Sequence, residues 1–189
     1  LNLVTEDDKT ICKGIFLEEN GKKAAIAADC VIVATGGMSY PSTGSTGDGY
    51  QWAQDAGLKV TALLPALVPF EAAELETVKS LQGLSLKNVA AAISNGKKEL
   101  YRDFGEMLFT HFGVSGPLML SASSFCAKAI GKTPLKLSID LRPALTEEQL
   151  DERILRDFAE AKNKQFKHSL NHLYPAKLVP VIIERSGID

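Results

Sequence analysis

The chain has 189 residues, of which 45% are hydrophobic and 23% charged, as in a globular protein that buries a core. Lys and Arg number 21 and Asp and Glu 23, a net charge of −2 that excludes an overall positive surface for nucleic acid or anionic membranes. The three cysteines form no CxxC pair, which argues against a disulfide framework or a zinc site. We therefore predict a cytoplasmic protein with no metal site and no nucleic-acid or membrane partner.

The first predicted element is a β-meander. Strands are expected over residues 11–17 and 23–28, joined at Asn20-Gly21, because Asn-Gly is the preferred pair for a two-residue hairpin turn. Residues 30–34 are apolar on both faces, which is typical of a strand inside a parallel sheet. In such a strand Cys30 would fill core space.

A short helix is expected next. Asp48 has N-cap chemistry and Gly57 is a typical C-terminal stop, so the helix would lie between them. A further strand is predicted over residues 60–64, and a domain boundary near Ala62.

The region beyond this boundary is predicted to be mostly β-structure with one helix. The strands are expected over 87–93, 98–102, 105–110 and 135–140, with a turn at Asn95-Gly96 and a helix over 117–128.

From residue 146 onward the sequence predicts three helices. Thr146 and Gln149 match a capping box, Pro175 would end the second helix, and Pro180 would bend the third. His168 and His172 are spaced i, i+4 but have no evident third ligand, so we interpret them as part of a solvated helix face.

The segment richest in chemistry is ATGGMSYPSTGSTGDG, residues 34–49, which holds five of the fifteen glycines. Its backbone N–H groups, with the helix N-terminus that follows, could bind phosphate or another electron-rich ligand; the alternative is a plain loop. A P-loop is excluded in this segment because Gly47 and Gly49 are followed by Asp48 and Tyr50, where a P-loop needs Lys and then Ser or Thr. A GxGxxG fingerprint is excluded because Trp52 occupies the third glycine position.

Together with GEMLFTHFGVSGP at residues 105–117, this segment resembles the aminoacetone-oxidase-like flavoproteins, many of which are named NAD(P)/FAD-dependent oxidoreductases. LVP at 67–69 and LQGLSLKNV at 81–89 are also similar to that family. The resemblance implies an α+β fold in which an FAD-binding domain is interrupted by an insert. Residues 1–61 would be part of the FAD domain, 62–145 a β-rich, barrel-like insert on the substrate side, and 146–189 its small helical bundle.

The resemblance also implies the chemistry. The parent enzyme would oxidise a small substrate or NAD(P)H through FAD. The family's GxGxxG unit and its C-terminal glycine-rich segment are absent, and the sequence opens with neither an initiator Met nor a signal peptide. We therefore expect the middle section of a longer enzyme, inactive and free of FAD when isolated. The alternative is a stand-alone, non-enzymatic module that binds a ligand or a protein.

The candidate site residues follow from the same comparison. The residues expected near the cofactor are Thr35, Gly36, Gly37, Thr46, Gly47 and Asp48. His111 would act as a proton donor or acceptor beside the flavin, or else hydrogen-bond the turn backbone and fix the helix that follows. Tyr40 would line the flavin pocket or pack beneath it. Sheet edges exposed by truncation would favour a homodimer.

Overall fold

The computed structural model describes residues 1, 3–6, 9–162 and 165–188, which divide into two units, Leu1–Leu63 and Leu64–Asp189. Each unit makes its contacts mainly within itself, and each is described separately below. The finer division at residues 61 and 145 stays a prediction.

The first unit begins with two hairpins. Strand β1 (Leu3–Glu6) pairs with β2 (Lys9–Cys12), and β3 (Gly14–Glu19) pairs with β4 (Lys22–Ala27), both antiparallel. The second turn is confirmed at Asn20-Gly21, whose φ angles of 52° and 73° lie in the left-handed region that Asn and Gly tolerate. The strand predicted over residues 11–17 is divided between the two hairpins.

The buried strand predicted over residues 30–34 does not form in the described chain. Ile32 is 91% exposed and Cys30 is also exposed, so this cysteine does not fill core space. A strand needs neighbouring strands to satisfy its backbone N–H and C=O groups, and the described residues provide none here. The strand predicted over residues 60–64 is missing for the same reason.

The helix of the first unit is α1 (Asp48–Asp55). Its N-cap is Gly47, with φ 88°, and not Asp48, which lies one residue further on at the first helical position. The helix ends as predicted before Gly57, whose φ of 78° is the left-handed conformation common after helices.

The second unit is built on a five-stranded antiparallel sheet. Its strands, in spatial order, are β5 (Phe70–Glu71), β8 (Gly113–Ser115), β7 (Lys98–Phe109), β6 (Ser85–Asn95) and β9 (Lys136–Asp140). Helix α2 (Leu75–Ser80) precedes β6, and α3 (Pro117–Cys126) follows β8.

The long β6–β7 hairpin differs from the sequence prediction in two details. Asn95 pairs with Lys98, so the two turn residues are Gly96 and Lys97, one position later than expected. The two strands predicted over 98–102 and 105–110 form the single strand β7. On β9 the predicted alternation is confirmed, with Leu137 and Ile139 turned toward the core.

Helix α3 covers one face of this sheet. Pro117 occupies its first turn, where a missing N–H costs nothing, and Gly116 precedes it. Four of its apolar residues, Leu118, Met119, Ala122 and Cys126, are buried in the core that it shares with the sheet. The sheet contributes Leu86, Val89, Ile93, Met107, Phe109 and Val114 to the same core.

The helical segment contains α4 (Glu147–Glu160), α5 (Phe166–Ser169), a 3₁₀ turn (Leu170–His172) and α6 (Val179–Ser186). The capping box is confirmed: the Gln149 N–H donates to the Thr146 hydroxyl (3.3 Å) and the Thr146 N–H to the Gln149 side chain (3.0 Å). Pro180 lies in the first turn of α6 and starts that helix, where the sequence predicted a bend.

A second, smaller core joins these helices. Its buried residues are Leu170, Leu173 and Val179. The Phe158 and Phe166 rings meet edge to face beside them, with centroids 6.0 Å apart. Among the helices described, none combines the length and the apolar character needed to cross a lipid bilayer.

Candidate functional site

The glycine-rich segment of the first unit folds back on itself. A Cβ atom on Gly49 would lie 2.6 Å from the Thr35 hydroxyl oxygen, and one on Gly36 would lie 2.9 Å from the Ser45 hydroxyl oxygen. The start of the segment therefore lies against its end, and any side chain at either glycine would push the two apart.

The turn at the middle of the segment is organised by the Tyr40 carbonyl. The N–H groups of Thr43 (3.0 Å) and Ser45 (3.3 Å) and the Thr43 hydroxyl (2.8 Å) all donate to this oxygen. The Tyr40 residue itself is 71% exposed, so its ring does not pack beneath the described part of the loop. In the described chain, Tyr40 stabilises the turn through its backbone carbonyl.

The entry to helix α1 carries free hydrogen-bond donors. Gly47 adopts φ 88° and packs on Met38, whose Cγ would be 2.9 Å from a Cβ at this position. The Tyr50 N–H donates to the Gly47 carbonyl (3.0 Å), whereas the N–H groups of Asp48 and Gly49 have no acceptor among the described residues. Two donors therefore point out of a helix N-terminus, with the Asp48 carboxylate beside them.

All six predicted cofactor residues lie in one segment and take part in its close approaches, its turn or the start of its helix. Thr35 contacts Gly49, Gly36 contacts Ser45, Gly37 approaches the Tyr50 hydroxyl, and Gly47 and Asp48 open α1. Thr46 lies in the same turn and donates its N–H to the Gly44 carbonyl (3.0 Å). Their role toward a cofactor stays a prediction.

His111 belongs to the second unit, in the turn between β7 and β8. It is exposed, and its ring meets Phe112 edge to face with centroids 4.9 Å apart. The turn backbone is held by another residue, Thr110: its hydroxyl accepts the Phe112 (3.4 Å) and Gly113 (3.0 Å) N–H groups. In the described chain the turn hydrogen bonds come from Thr110, and both alternatives for His111 stay predictions.

Thr110 organises the turn beside His111, and the sequence prediction missed it. Threonine hydroxyls commonly accept the backbone N–H groups two and three residues further along the chain. The sequence therefore contained a signal for this turn. Its own N–H donates to the Gly113 carbonyl (2.8 Å), which closes the turn. His111 is exposed on this hydrogen-bonded turn.

A cleft in the second unit was also not predicted. It measures about 200 Å³ and lies between the end of β9 and the helical segment. Its lining is mostly apolar but includes Arg142, whose guanidinium donates to the Leu173 carbonyl (2.8 Å). Across the described chain, no three His, Cys, Asp or Glu side chains are placed to share a metal ion, and the exposed His168 and His172 match a solvated face.

Residues 64–189 match the family model described as the HI0933-like protein barrel and H2TH domain, and the chain belongs to this HI0933-like family. It is 30% identical over 182 residues to the 3-dehydro-bile acid delta(4,6)-reductase of Clostridium scindens, covering 95% of this chain and 43% of the relative. It is 34% identical over 160 residues to the ribosomal RNA dihydrouridine synthase of Haemophilus influenzae, covering 84% of this chain and 37% of that protein.

A third relative is the ribosomal RNA dihydrouridine synthase of Escherichia coli, 36% identical over 114 residues, which cover 59% of this chain and 27% of the relative. The chain spans about two fifths of the length of the first two relatives. The family assignment is broader than the predicted resemblance, because it does not single out aminoacetone oxidases. Two of the relatives are named for ribosomal RNA, so the prediction of no nucleic-acid partner is not confirmed.

Proposed function

We propose that this chain is the central part of an FAD-dependent oxidoreductase that passes a hydride equivalent between NAD(P)H and a substrate. One observation carries the proposal: the similarity to a reductase extends over 95% of the chain and so includes both the glycine-rich segment and the second unit. The similarity to a dihydrouridine synthase extends over 84%.

The names of these relatives favour a direction for the reaction. Dihydrouridine is uridine with two added hydrogen atoms, and a reductase likewise adds electrons and protons to its substrate. We therefore place the parent protein among enzymes that reduce an unsaturated substrate, whereas the sequence prediction emphasised oxidation. Bound flavin would supply the two-electron carrier that such a reduction needs.

The residues at the α1 N-terminus fit an FAD ligand. The unpartnered N–H groups of Asp48 and Gly49 are donors for flavin or ribityl oxygens, and the helix dipole favours negative charge at this end. The Asp48 carboxylate can accept hydrogen bonds from ribityl hydroxyls. The contacts of Gly36 and Gly49 hold this end of the helix beside residues 35–37.

His111 is the proposed proton donor or acceptor of the parent enzyme. Thr110 fixes its turn, and the exposed imidazole is free to meet a substrate. Tyr40 is a proposed substrate-side or flavin-side contact through its exposed ring.

The test compares two carboxylates on the same helix, in the protein expressed from its complete reading frame. Asp48→Ala should weaken FAD retention about 10-fold, because it removes a charged hydrogen-bond acceptor. Asp55→Ala is the matched control: it removes a carboxylate that accepts a hydrogen bond from Gln51 (2.9 Å) in the described part of the chain, and it should leave FAD retention unchanged. Flavin absorption per mole of protein, and its loss on dilution, are the measurements.

The second measurement is the flavin content of the isolated 189-residue chain. The sequence analysis predicts that this chain purifies without flavin. The complete protein can be incubated with excess FAD and the free FAD then removed. A protein that retains no bound flavin absorption after this treatment would overturn the proposal. If both variants weaken FAD retention equally, the proposed role of Asp48 is overturned, but the FAD-dependent function is not.

A further inference from the structure

Strand β9 forms one edge of the five-stranded sheet. It pairs with β6 over its whole length, from Lys136 to Asp140. Half of the backbone N–H and C=O groups of a strand face each of its two sides, so half of those on β9 face away from β6. In the described part of the chain no other strand pairs with that side. Such a row of backbone groups is a template on which another strand can pair.

The β9 edge lacks the features that usually prevent pairing between sheet edges. The opposite edge strand, β5, has only two residues and offers little to pair with, whereas β9 has five. It contains no proline, and its register with β6 is unbroken. No charged side chain points inward, because Leu137 and Ile139 face the core and Lys136, Ser138 and Asp140 are exposed.

The sequence of β9, KLSID, is complementary to itself when two copies run antiparallel. If Ser138 lies opposite Ser138 of a second copy, Lys136 lies opposite Asp140 at both ends of the pair, and Leu137 lies opposite Ile139. Directly opposite residues in an antiparallel pair share one face of the sheet, with their Cβ atoms about 4.5–5.5 Å apart. Exposed lysines would therefore meet exposed aspartates, and partly buried leucines would meet isoleucines.

The two charged side chains of β9 are available for such contacts. Among the residues that the structure describes, neither Lys136 nor Asp140 takes part in an ion pair. The Asp140 carboxylate accepts the backbone N–H of Arg142 (2.9 Å), a hydrogen bond that brings it no cationic partner. On the same face of the sheet, Arg102 of β7 is engaged by Glu99 (2.6 Å).

We propose that two copies of this chain associate through β9, as an antiparallel strand pair centred on Ser138. The two five-stranded sheets then form one continuous sheet of ten strands, related by a twofold axis perpendicular to the sheet. The partner is a second copy because the strand's own sequence satisfies its charges at both ends. Five residues on each side make a small contact, so we expect a weak dimer with a Kd of about 10 µM.

The sequence analysis expected a homodimer through exposed sheet edges, and this proposal specifies the edge, the register and the charged pairs. It concerns β9 alone and does not depend on the proposed function. Its measurements need no flavin, so a chain that stays monomeric would leave the FAD-dependent function intact.

Reversal of one charge tests the pairing, with sedimentation velocity of the 189-residue chain at several concentrations as the measurement. Lys136→Asp places two carboxylates opposite each other at both ends of the pair and should raise the dimer Kd about 10-fold. Asp140→Lys places two ammonium groups there and should have the same effect. Lys132→Asp is the matched control: it makes the same charge change in the exposed turn before β9 and should alter the Kd less than 2-fold.

An equimolar mixture of Lys136→Asp and Asp140→Lys separates the register from a general loss of stability. In a mixed pair every positive charge on β9 again lies opposite a negative one, at both ends. The mixture should therefore dimerise with a Kd within about 2-fold of that of the unaltered chain, although each variant alone is largely monomeric. Circular dichroism verifies that each variant is folded.

A disulfide provides a second measurement, which also decides the case if Asp140→Lys does not fold. In a Cys30→Ser background, Ser138→Cys brings two thiols together at the centre of the pair and should give a covalent dimer on mild oxidation. Ser124→Cys, at an exposed position on α3, is the control and should remain mostly monomeric.

Four results would overturn the proposal. They are an unaltered chain that is monomeric at about 100-fold the expected Kd, equal effects of Lys132→Asp and Lys136→Asp, a mixture of folded variants that stays monomeric, and equal crosslinking of the two cysteine variants.

Discussion

Gly113 shows how a single residue fixes the turn that carries His111. A Cβ at this position would lie 1.9 Å from the Phe70 carbonyl oxygen, and that oxygen belongs to the neighbouring strand β5. No rotamer relieves this overlap, because both atoms belong to the backbone or are fixed to it. The glycine is therefore required where β5 and β8 pair.

Gly113→Ala should accordingly destabilise the second unit by about 3 kcal/mol, at the upper end of ordinary substitutions. Gly105→Ala is the control within the same sheet: its Cβ would meet only Leu118, at an ordinary 3.8 Å, and stability should change by less than about 1 kcal/mol. Urea unfolding followed by circular dichroism measures both. Equal stabilities of the two variants would contradict the assigned packing.

The capping box of α4 is the clearest link between sequence and an individual element. The Thr146 hydroxyl accepts the Gln149 N–H and also lowers the pKa of the Glu148 carboxyl by hydrogen bonding; the backbone N–H of Glu148 is the second cause. The pKa of Glu148 is lower in the folded state than in the unfolded state, so its ionised carboxylate stabilises the fold. This contribution is fully present above the ordinary glutamate pKa, and it is lost as the pH falls through the lowered pKa of the folded state.

Thr146→Ala should cost about 1 kcal/mol of stability at neutral pH. The loss should shrink in acid, once Glu148 is protonated in both proteins. Thr133→Ala, at an exposed turn threonine whose side chain makes no hydrogen bond within the described chain, is the control and should be neutral at both pH values. Thermal unfolding at neutral and acidic pH would measure the difference, and a loss independent of pH would contradict the link to Glu148.

Elements whose signals are local were predictable, and elements that depend on distant partners were not. The Asn20-Gly21 turn, the α4 cap and the alternation on β9 are each specified by a few adjacent residues. Residues 30–34 have the apolar composition of a buried strand, but strand pairing requires neighbours that composition cannot provide. The contacts of Gly36 and Gly49 were likewise not visible in the sequence, because they join residues nine and fourteen positions apart.

At the scale of the whole molecule, the second unit contains its own complete core. All the residues of the main core, from Val78 to Leu178, and those of the smaller core lie within Leu64–Asp189. In the first unit, by contrast, the β4 side chains are all exposed and no residue of α1 is buried. The two units should therefore differ sharply in independent stability.

A chain of residues 64–189 should fold alone and unfold cooperatively, with a Tm within about 5 °C of the main transition of the full chain. A chain of residues 1–63 should show no cooperative transition, because it buries little apolar surface. Thermal melts of the two fragments, followed by circular dichroism, are the measurements. Aggregated or non-cooperative 64–189 would show that its core depends on the first unit.

The different surroundings of the cysteines have a practical consequence. Burial raises the pKa of the Cys126 thiol at the end of α3, and Cys12 is half-buried with its thiol donating to the Gly14 carbonyl (3.5 Å). Cys30 is the exposed thiol, four residues before the start of the glycine-rich segment at Ala34. A maleimide dye would therefore attach there first, so the sequence already has a labelling site for a fluorescent reporter five residues before Thr35, the first of the proposed FAD contacts.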